Sequence, residues 1–263
     1  MPFRKISSDR IATAVTAQVE ELILQGVLRP GDRLPAERDL AQQFDVSRPT
    51  LREALADLEA RGLITSHQGG GTYVADILGS AFTPPLIELF ASHDTALFDY
   101  IAFRRDLEGL AAERAALNAT QADLDILDSV FDRMEAAAAK RKPDEEAALD
   151  AQFHMTIVEA AHNVVMLHMM RTLYDLLVRG VWYSREAVYA MRDRRSKLME
   201  QHREIRDAIK ARDPKAARRA VEAHMDFIAQ ALRDADRART REEVAELRRQ
   251  HEIRRAGTKP RRS

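Results

Sequence analysis

Asp150 and His154 stand four residues apart in LDAQFH, so on a helix they share one face, side by side. His202 follows in EQHREI and His224 in EAHMDF, each on a later helical stretch. One carboxylate and three imidazoles from three helices form a donor set for a borderline divalent metal, zinc first, with nickel or manganese as alternatives. Taken singly, each histidine reads as a core or surface residue, and that reading is kept for His67, His93, His162, His168 and His251. Spacing alone therefore leaves the cluster open between a metal site and coincidence. Open positions on such a metal would also suit a hydrolytic or oxidative enzyme. No nucleophile or general-base motif accompanies the four residues, which weakens the enzyme reading. A metal with a purely structural role is a further alternative.

A second constellation lies in VSRPTLREAL, residues 46–55. Ser47 suits an N-cap, and Pro49 is tolerated in a first helical turn because its missing N–H would be unpaired there anyway. Arg48 and Arg52 do not suit that position by the same logic, since the N-terminal end of a helix is already positive. Sharing one face, they point to an anion approaching from outside. The alternative is a solvated pair of charges answered by Glu53 and Asp57.

The elements around these residues follow from hydrophobic periodicity. Ile11, Val15, Val19, Leu22 and Ile23 repeat at helical spacing over 11–24, and LRPGDRLP ends that helix in a Pro-Gly turn. Residues 37–44 read as a short helix with Leu40 and Ala41 inward. FDVS makes a turn, and 48–61 forms the next helix, burying Leu51, Leu55 and Leu58 before Gly62. LITSH and TYVAD read as two short strands joined by QGGG. Helix, helix, turn, helix and a glycine-tipped hairpin make a winged helix-turn-helix. In such a motif the second helix enters the DNA major groove, and arginine suits bidentate contact with guanine or phosphate. Residues 1–75 hold nine Lys/Arg against ten Asp/Glu, so DNA contact must rest on placement rather than bulk charge.

Gly79 and the pair Pro84-Pro85 interrupt periodicity and mark a linker over 77–95. Beyond it, helices are expected at 96–117, 120–140, 144–161, 164–191, 194–211 and 214–238, giving a mainly α chain whose second domain is an antiparallel helical bundle. The organisation is then a DNA-binding domain over 1–76, a helical domain over 96–238 and a charged, basic tail over 239–263, read as a solvated disordered end, with added nonspecific DNA affinity as the alternative. The absence of cysteine excludes disulfides and thiolate metal sites. No signal-peptide core and no apolar run of membrane-spanning length is present, so a cytoplasmic protein without membrane contact is expected.

LPAERDLAQQFDVSRPTLREALADLEARGLITSHQGGGTYV, residues 34–74, resembles the DNA-binding domain of the GntR family of bacterial transcription regulators. The resemblance implies that Arg38, Arg48 and Arg52 carry most base and phosphate contacts, with Ser47, Thr50, Gln68 and Gly69 adding backbone contacts. Residues 100–235 resemble the FCD effector domain of the FadR subfamily, which implies metal binding by Asp150, His154, His202 and His224. FRRDLEGLAAERAA matches the first helix of that domain, with Arg104 at the position facing an effector cavity. Asn163, in EAAHNVVMLHMM, either faces the cavity or caps a helix. Taken together, the resemblance implies a homodimeric repressor on a pseudo-palindromic DNA operator, released by a small carboxylate effector. Within the family the chain is most similar to regulators that answer to pyruvate and, next, to lactate.

Overall fold

A computed structural model describes residues 8–67, 70–77, 89, 93–140, 143–179 and 192–257. Two compact units divide the chain, Met1–Ala81 with Leu167–Thr172, and Phe82–Met166 with Leu173–Ser263.

The N-terminal unit begins with α1 (Ser8–Leu24), which buries Ala12, Val15, Val19 and Ile23 along one helical stripe. Then come α2 (Glu37–Gln43) and α3 (Arg48–Ala60), which contribute Leu40, Ala41, Leu51, Ala54, Leu55 and Leu58 to the same core. Asp45 takes a left-handed φ of 52° in the turn between them, a conformation that a short polar side chain tolerates. After α3, Gly62 adopts a φ of 73° and releases the chain into β1 (Ile64–His67), which pairs antiparallel with β2 (Gly71–Val74). Ile64 faces Val74 across the ladder, and both are buried. Arg33 bridges to Tyr73, and the Leu34 and Val74 amides donate across this join, so the hairpin is held on its second edge as well.

The helical unit comprises α4 (Asp94–Asn118), α5 (Gln121–Lys140), α6 (Pro143–Ala160), α7 (Val164–Arg179), α8 (Arg192–Lys210) and α9 (Pro214–Gly257). α4 packs along α9 and against α6, α5 packs on α6, and α8 lies on α9. Small residues make the central contact close. Ala111, Ala112, Ala115 and Ala116 of α4 are all buried, and a Cβ on Gly109 would stand 3.4 Å from the Arg218 and Glu222 side chains of α9. Phe131, Phe153, Ile157, Ile205, Ile209 and Met225 fill the core between helices. Residues 180–191 of the helix expected over 164–191 lie outside the described residues, as does most of the expected linker.

The C-terminal segment is solvated, as read, but helical rather than disordered. Helix α9 continues through it to Gly257. Charges three and four residues apart answer one another there, with Arg239 at 2.7 Å from Asp236 and Arg249 at 2.7 Å from Glu246. Each such pair adds only tenths of a kcal/mol, and it is their succession along a helix already nucleated by the bundle that carries the segment.

The start of α5 is closed by a capping box. Asp123 Oδ2 accepts from the Thr120 amide at 2.7 Å and hydroxyl at 2.6 Å, and the Asp123 amide donates back to Thr120 Oγ1 at 3.3 Å. Nε2 of His162 reaches the same carboxylate oxygen at 2.8 Å. Asp123→Ala is therefore expected to lower stability by about 1 kcal/mol, the usual effect of losing a cap. Urea titration at pH 7 checks this, and an unchanged midpoint would show that the box is dispensable.

Candidate metal centre and nucleic-acid interface

Three elements bring the four candidate ligands together. Asp150 and His154 come from adjacent turns of α6, His202 from α8 and His224 from α9. All four are buried, and one ligand atom from each lies within 4.8 Å of the others. The imidazole rings stand 4.5 Å apart for His202 and His224, 5.2 Å for His154 and His224, and 5.4 Å for His154 and His202. His202 Nε2 lies 3.2 Å from Asp150 Oδ1. The Phe153 ring meets His154 and His202 edge-on, adding an apolar wall to the group.

Two of the rings are backed from behind. Nδ1 of His224 donates to Gln201 Oε1 at 3.2 Å, which leaves its Nε2 with the lone pair. Nδ1 of His154 stands 2.7 Å from the Glu108 carboxylate, a charge contact rather than a hydrogen bond, and the Nε2 atoms of both rings are buried without a hydrogen-bond partner among the described residues. Such orphaned acceptors are costly unless a cation receives them. Burial, followed by the neighbouring His202 and His154, pushes the His224 imidazole well below its ordinary range. It is thus held in the neutral, ligating form. This donor set fits a borderline divalent metal, and the backing of histidine by a carboxylate or amide is the usual way to orient a metal ligand.

Behind His154 lies a buried polar network on α4. Arg104 and Glu108 are one turn apart on the inner face of the helix. Arg104 donates from Nε to Glu108 Oε1 at 2.6 Å and from Nη2 to the Tyr174 hydroxyl at 3.0 Å. The Tyr174 hydroxyl also donates to Glu108 Oε1 at 3.0 Å. Its ring lies under the guanidinium at 5.0 Å, with Tyr100 at 5.9 Å. Burial alone would raise the Glu108 carboxyl, but Arg104 and then His154 outweigh it and hold it down at about 2. One carboxylate thus joins the arginine to His154, a candidate metal ligand.

Of the residues assigned to an effector, Arg104 lies in this network, and its charge is felt at His224. Asn163 caps α7. Its Oδ1 accepts from the Met166 amide at 3.0 Å, at the start of α7. Glu108, Tyr174 and Gln201 were not singled out by sequence. The signal for Glu108 was its i+4 spacing from Arg104, and for Gln201 its place beside His202.

On the N-terminal unit, Ser47 caps α3, accepting from the Thr50 amide at 3.3 Å. The Ser47 and Thr50 hydroxyls are joined at 2.8 Å, and Thr50 is buried. Arg48 and Arg52 project from the first turns of α3 and remain exposed. In place of Glu53 or Asp57, they converge on Glu37 of α2. Arg52 Nε donates to Glu37 Oε2 at 2.8 Å, and Arg48 Nη2 stands 3.8 Å from the same oxygen. Exposed pairs of this kind contribute at most about 1 kcal/mol, so exchanging Glu37 for a phosphate or base edge costs little. Arg38 is the most open of the three, its side chain 82% exposed beside Asp39. The wing tip residues Gln68 and Gly69 lie outside the described residues. Arg33 packs over the Tyr73 ring at 6.0 Å and against Gly71, whose φ of 101° and lack of a Cβ make room for it.

Residues 11–74 match the family model for bacterial regulatory proteins of the gntR family, and residues 99–227 match that for the FCD domain. The chain is 37% identical over 238 residues to a regulatory protein ascribed to the L-lactate dehydrogenase operon of Escherichia coli K12, covering 88% of this chain and 89% of that one. It is 35% identical over 229 residues to the Glc operon transcriptional activator of the same organism, covering 86% and 90%. Among solved structures, a GntR protein of Streptococcus agalactiae aligns at a TM-score of 0.53 with 27% identity, covering 84% of this chain and 99% of that one. No helix among the described residues is long and apolar enough to cross a membrane.

Proposed function

Because the chain belongs to the gntR family of bacterial regulatory proteins and carries an FCD domain, we propose that it is a metal-dependent sensor of a small 2-oxo or 2-hydroxy acid, which binds its operator as a homodimer and is released by that acid. The chain is a transcription regulator, not an enzyme. The observation that carries the finer reading is the buried Asp150, His154, His202 and His224 group with Arg104 close behind it. A six-coordinate divalent metal held there offers two positions that the four side chains do not fill, and a 2-oxo or 2-hydroxy acid matches them through a carboxylate oxygen and its neighbour. Arg104 supplies a planar cation suited to the remaining carboxylate charge. Pyruvate and lactate are three-carbon acids of this kind, and the lactate operon named for one relative supports the second.

Binding must favour the released arrangement over the DNA-bound one, because equal affinity for both would shift nothing. On DNA, a single winged domain reads a half-site, so two copies on a pseudo-palindrome are the natural arrangement. Operators selected from random duplexes test both halves of the reading by fluorescence anisotropy. Arg48→Ala and Arg52→Ala are each expected to weaken specific binding by about 1–3 kcal/mol, the loss for a bidentate base contact. Millimolar pyruvate or lactate is expected to dissociate the wild-type complex, with His202→Ala blind to both. Unchanged affinity in both arginine variants would sink the base-reading role, and an operator complex untouched by either acid would sink the effector class.

A further inference from the structure

Arg33 is an exposed cation of the N-terminal unit that stands on the wing, away from the reading helix α3. Its strand bridge sets it directly opposite Tyr73, so the two side chains share the outer face of the hairpin, while Leu34 and Val74 turn into the core. His67 stands on that face as well, its ring 5.6 Å from the Tyr73 ring. The Arg33 guanidinium is held in place from two sides. It lies 6.0 Å from the Tyr73 ring centroid, and the Tyr73 hydroxyl is itself fixed by donating to the Gly70 carbonyl at 3.1 Å. On the other side it closes against Gly71, where a Cβ would stand only 2.8 Å from Arg33 Nε. What Arg33 lacks is a counter-charge. Arg48 and Arg52 meet Glu37, Arg38 meets Asp39, and Arg61 meets Asp57. The Arg33 side chain meets no carboxylate and donates no hydrogen bond among the described residues.

We propose that Arg33 is a further DNA contact, which grips one backbone phosphate beside the wing. Its planar fork of N–H donors matches a phosphate and is left unused within the protein. Arg48 and Arg52 must first exchange Glu37, whereas Arg33 has no carboxylate to give up. The ring and the glycine already hold the side chain, so little freedom is lost when it binds. Phosphate is its partner because the guanidinium lies along the sheet against the wing backbone, and an arginine that reads guanine must project into the groove. A phosphate contact fixes register and orientation and carries no sequence information. The role thus rests on DNA binding by the winged unit, and it is independent of the base contacts proposed for Arg48 and Arg52.

Arg33→Met keeps an unbranched stem against Tyr73 and removes the charge. Fluorescence anisotropy of the full-length protein is read over a series of salt concentrations, on a selected operator and on a random duplex of equal length. The slope of log affinity against log salt is expected to become shallower by about 0.9 for each bound chain, on both duplexes alike. The ratio of operator to random-duplex affinity is expected to stay at its wild-type value, whereas Arg48→Ala lowers it. Arg33→Lys is expected to restore the slope, because the charge sets it. Arg133→Met removes an exposed arginine of α5 and is expected to change neither slope nor affinity. A wild-type slope in Arg33→Met, or an equal loss in Arg133→Met, would overturn the contact. So would a loss confined to the operator, since that marks base reading. If the wild-type chain prefers no selected operator, base reading by Arg48 and Arg52 fails, and the slope on the random duplex still decides the role of Arg33.

Discussion

One equivalent of zinc, nickel or manganese raises the melting temperature of metal-stripped wild-type protein, and His202→Ala shows no such rise. The expectation follows from linkage, since a ligand that binds only the folded state stabilises it increasingly as the ratio of its free concentration to its Kd grows, in proportion to the logarithm of one plus that ratio. The buried ligands come from three helices far apart in sequence, so the unfolded chain offers no comparable site. At a hundredfold excess over its dissociation constant, a metal contributes about 2.7 kcal/mol. For a domain of this size that amounts to a rise on the order of 10 °C. His202→Ala removes one donor from the centre of the cluster, where its ring lies 4.5 Å from His224. Comparing each protein with and without metal separates this effect from the cavity that the substitution leaves. Elemental analysis supplies the second readout, with one ion per wild-type chain and a substoichiometric, easily chelated ion in the variant. A wild-type protein that gains no stability from any of the three metals would refute the site.

What the sequence reveals depends on how local the controlling interaction is. Ser47 capping α3 is legible because an N-cap bonds within its own turn, and Thr50 lies three residues away. Arg48 and Arg52 are legible as an exposed pair for the same reason. Their partner was not, because Glu37 lies on another helix and the turn at Asp45 decides that the two elements meet. Asp150 and His154 share a face by helical spacing alone. His202 and His224 join them only through the packing of α8 and α9, and there the family resemblance supplied what spacing left open. Glu108 shows the limit most clearly. In sequence it is one acid among many on a charged helix, and helix α4 is weakly amphipathic because its exposed face is apolar too. Its burial is set by His154 and Tyr174, which come from α6 and α7. The C-terminal extension of α9 is as solvated as its charges indicate, but its helicity is not legible until the helix that precedes it is known to be folded.

Glu108→Gln is expected to loosen the metal and to weaken the fold, through two different oxygens of one carboxylate. Oε2 stands 2.7 Å from His154 Nδ1, and replacing a carboxylate behind a metal-bound histidine typically reduces affinity 10- to 100-fold. Chelator competition reads that loss directly. Oε1 answers Arg104, so the neutral amide leaves a buried guanidinium without its counter-charge. Breaking a buried pair by removing one partner costs about 3–5 kcal/mol. The pH dependence gives an independent check. Glu108 sits at about 2 in the fold, whereas an unfolded glutamate titrates near 4.3. Its contribution is therefore complete above the unfolded value and is lost as pH falls from there through the folded one. The difference corresponds to a contribution on the order of 3 kcal/mol, in keeping with the cost of breaking the pair. In metal-free protein, the decline in urea midpoint on acidification below about pH 4.5 should accordingly be shallower in Glu108→Gln than in wild type. Tyr174→Phe, which removes only the hydroxyl that donates to the other oxygen, should leave metal affinity within a few-fold of wild type. Equal metal affinity and equal acid sensitivity in wild type and Glu108→Gln would show that the carboxylate neither orients His154 nor balances Arg104.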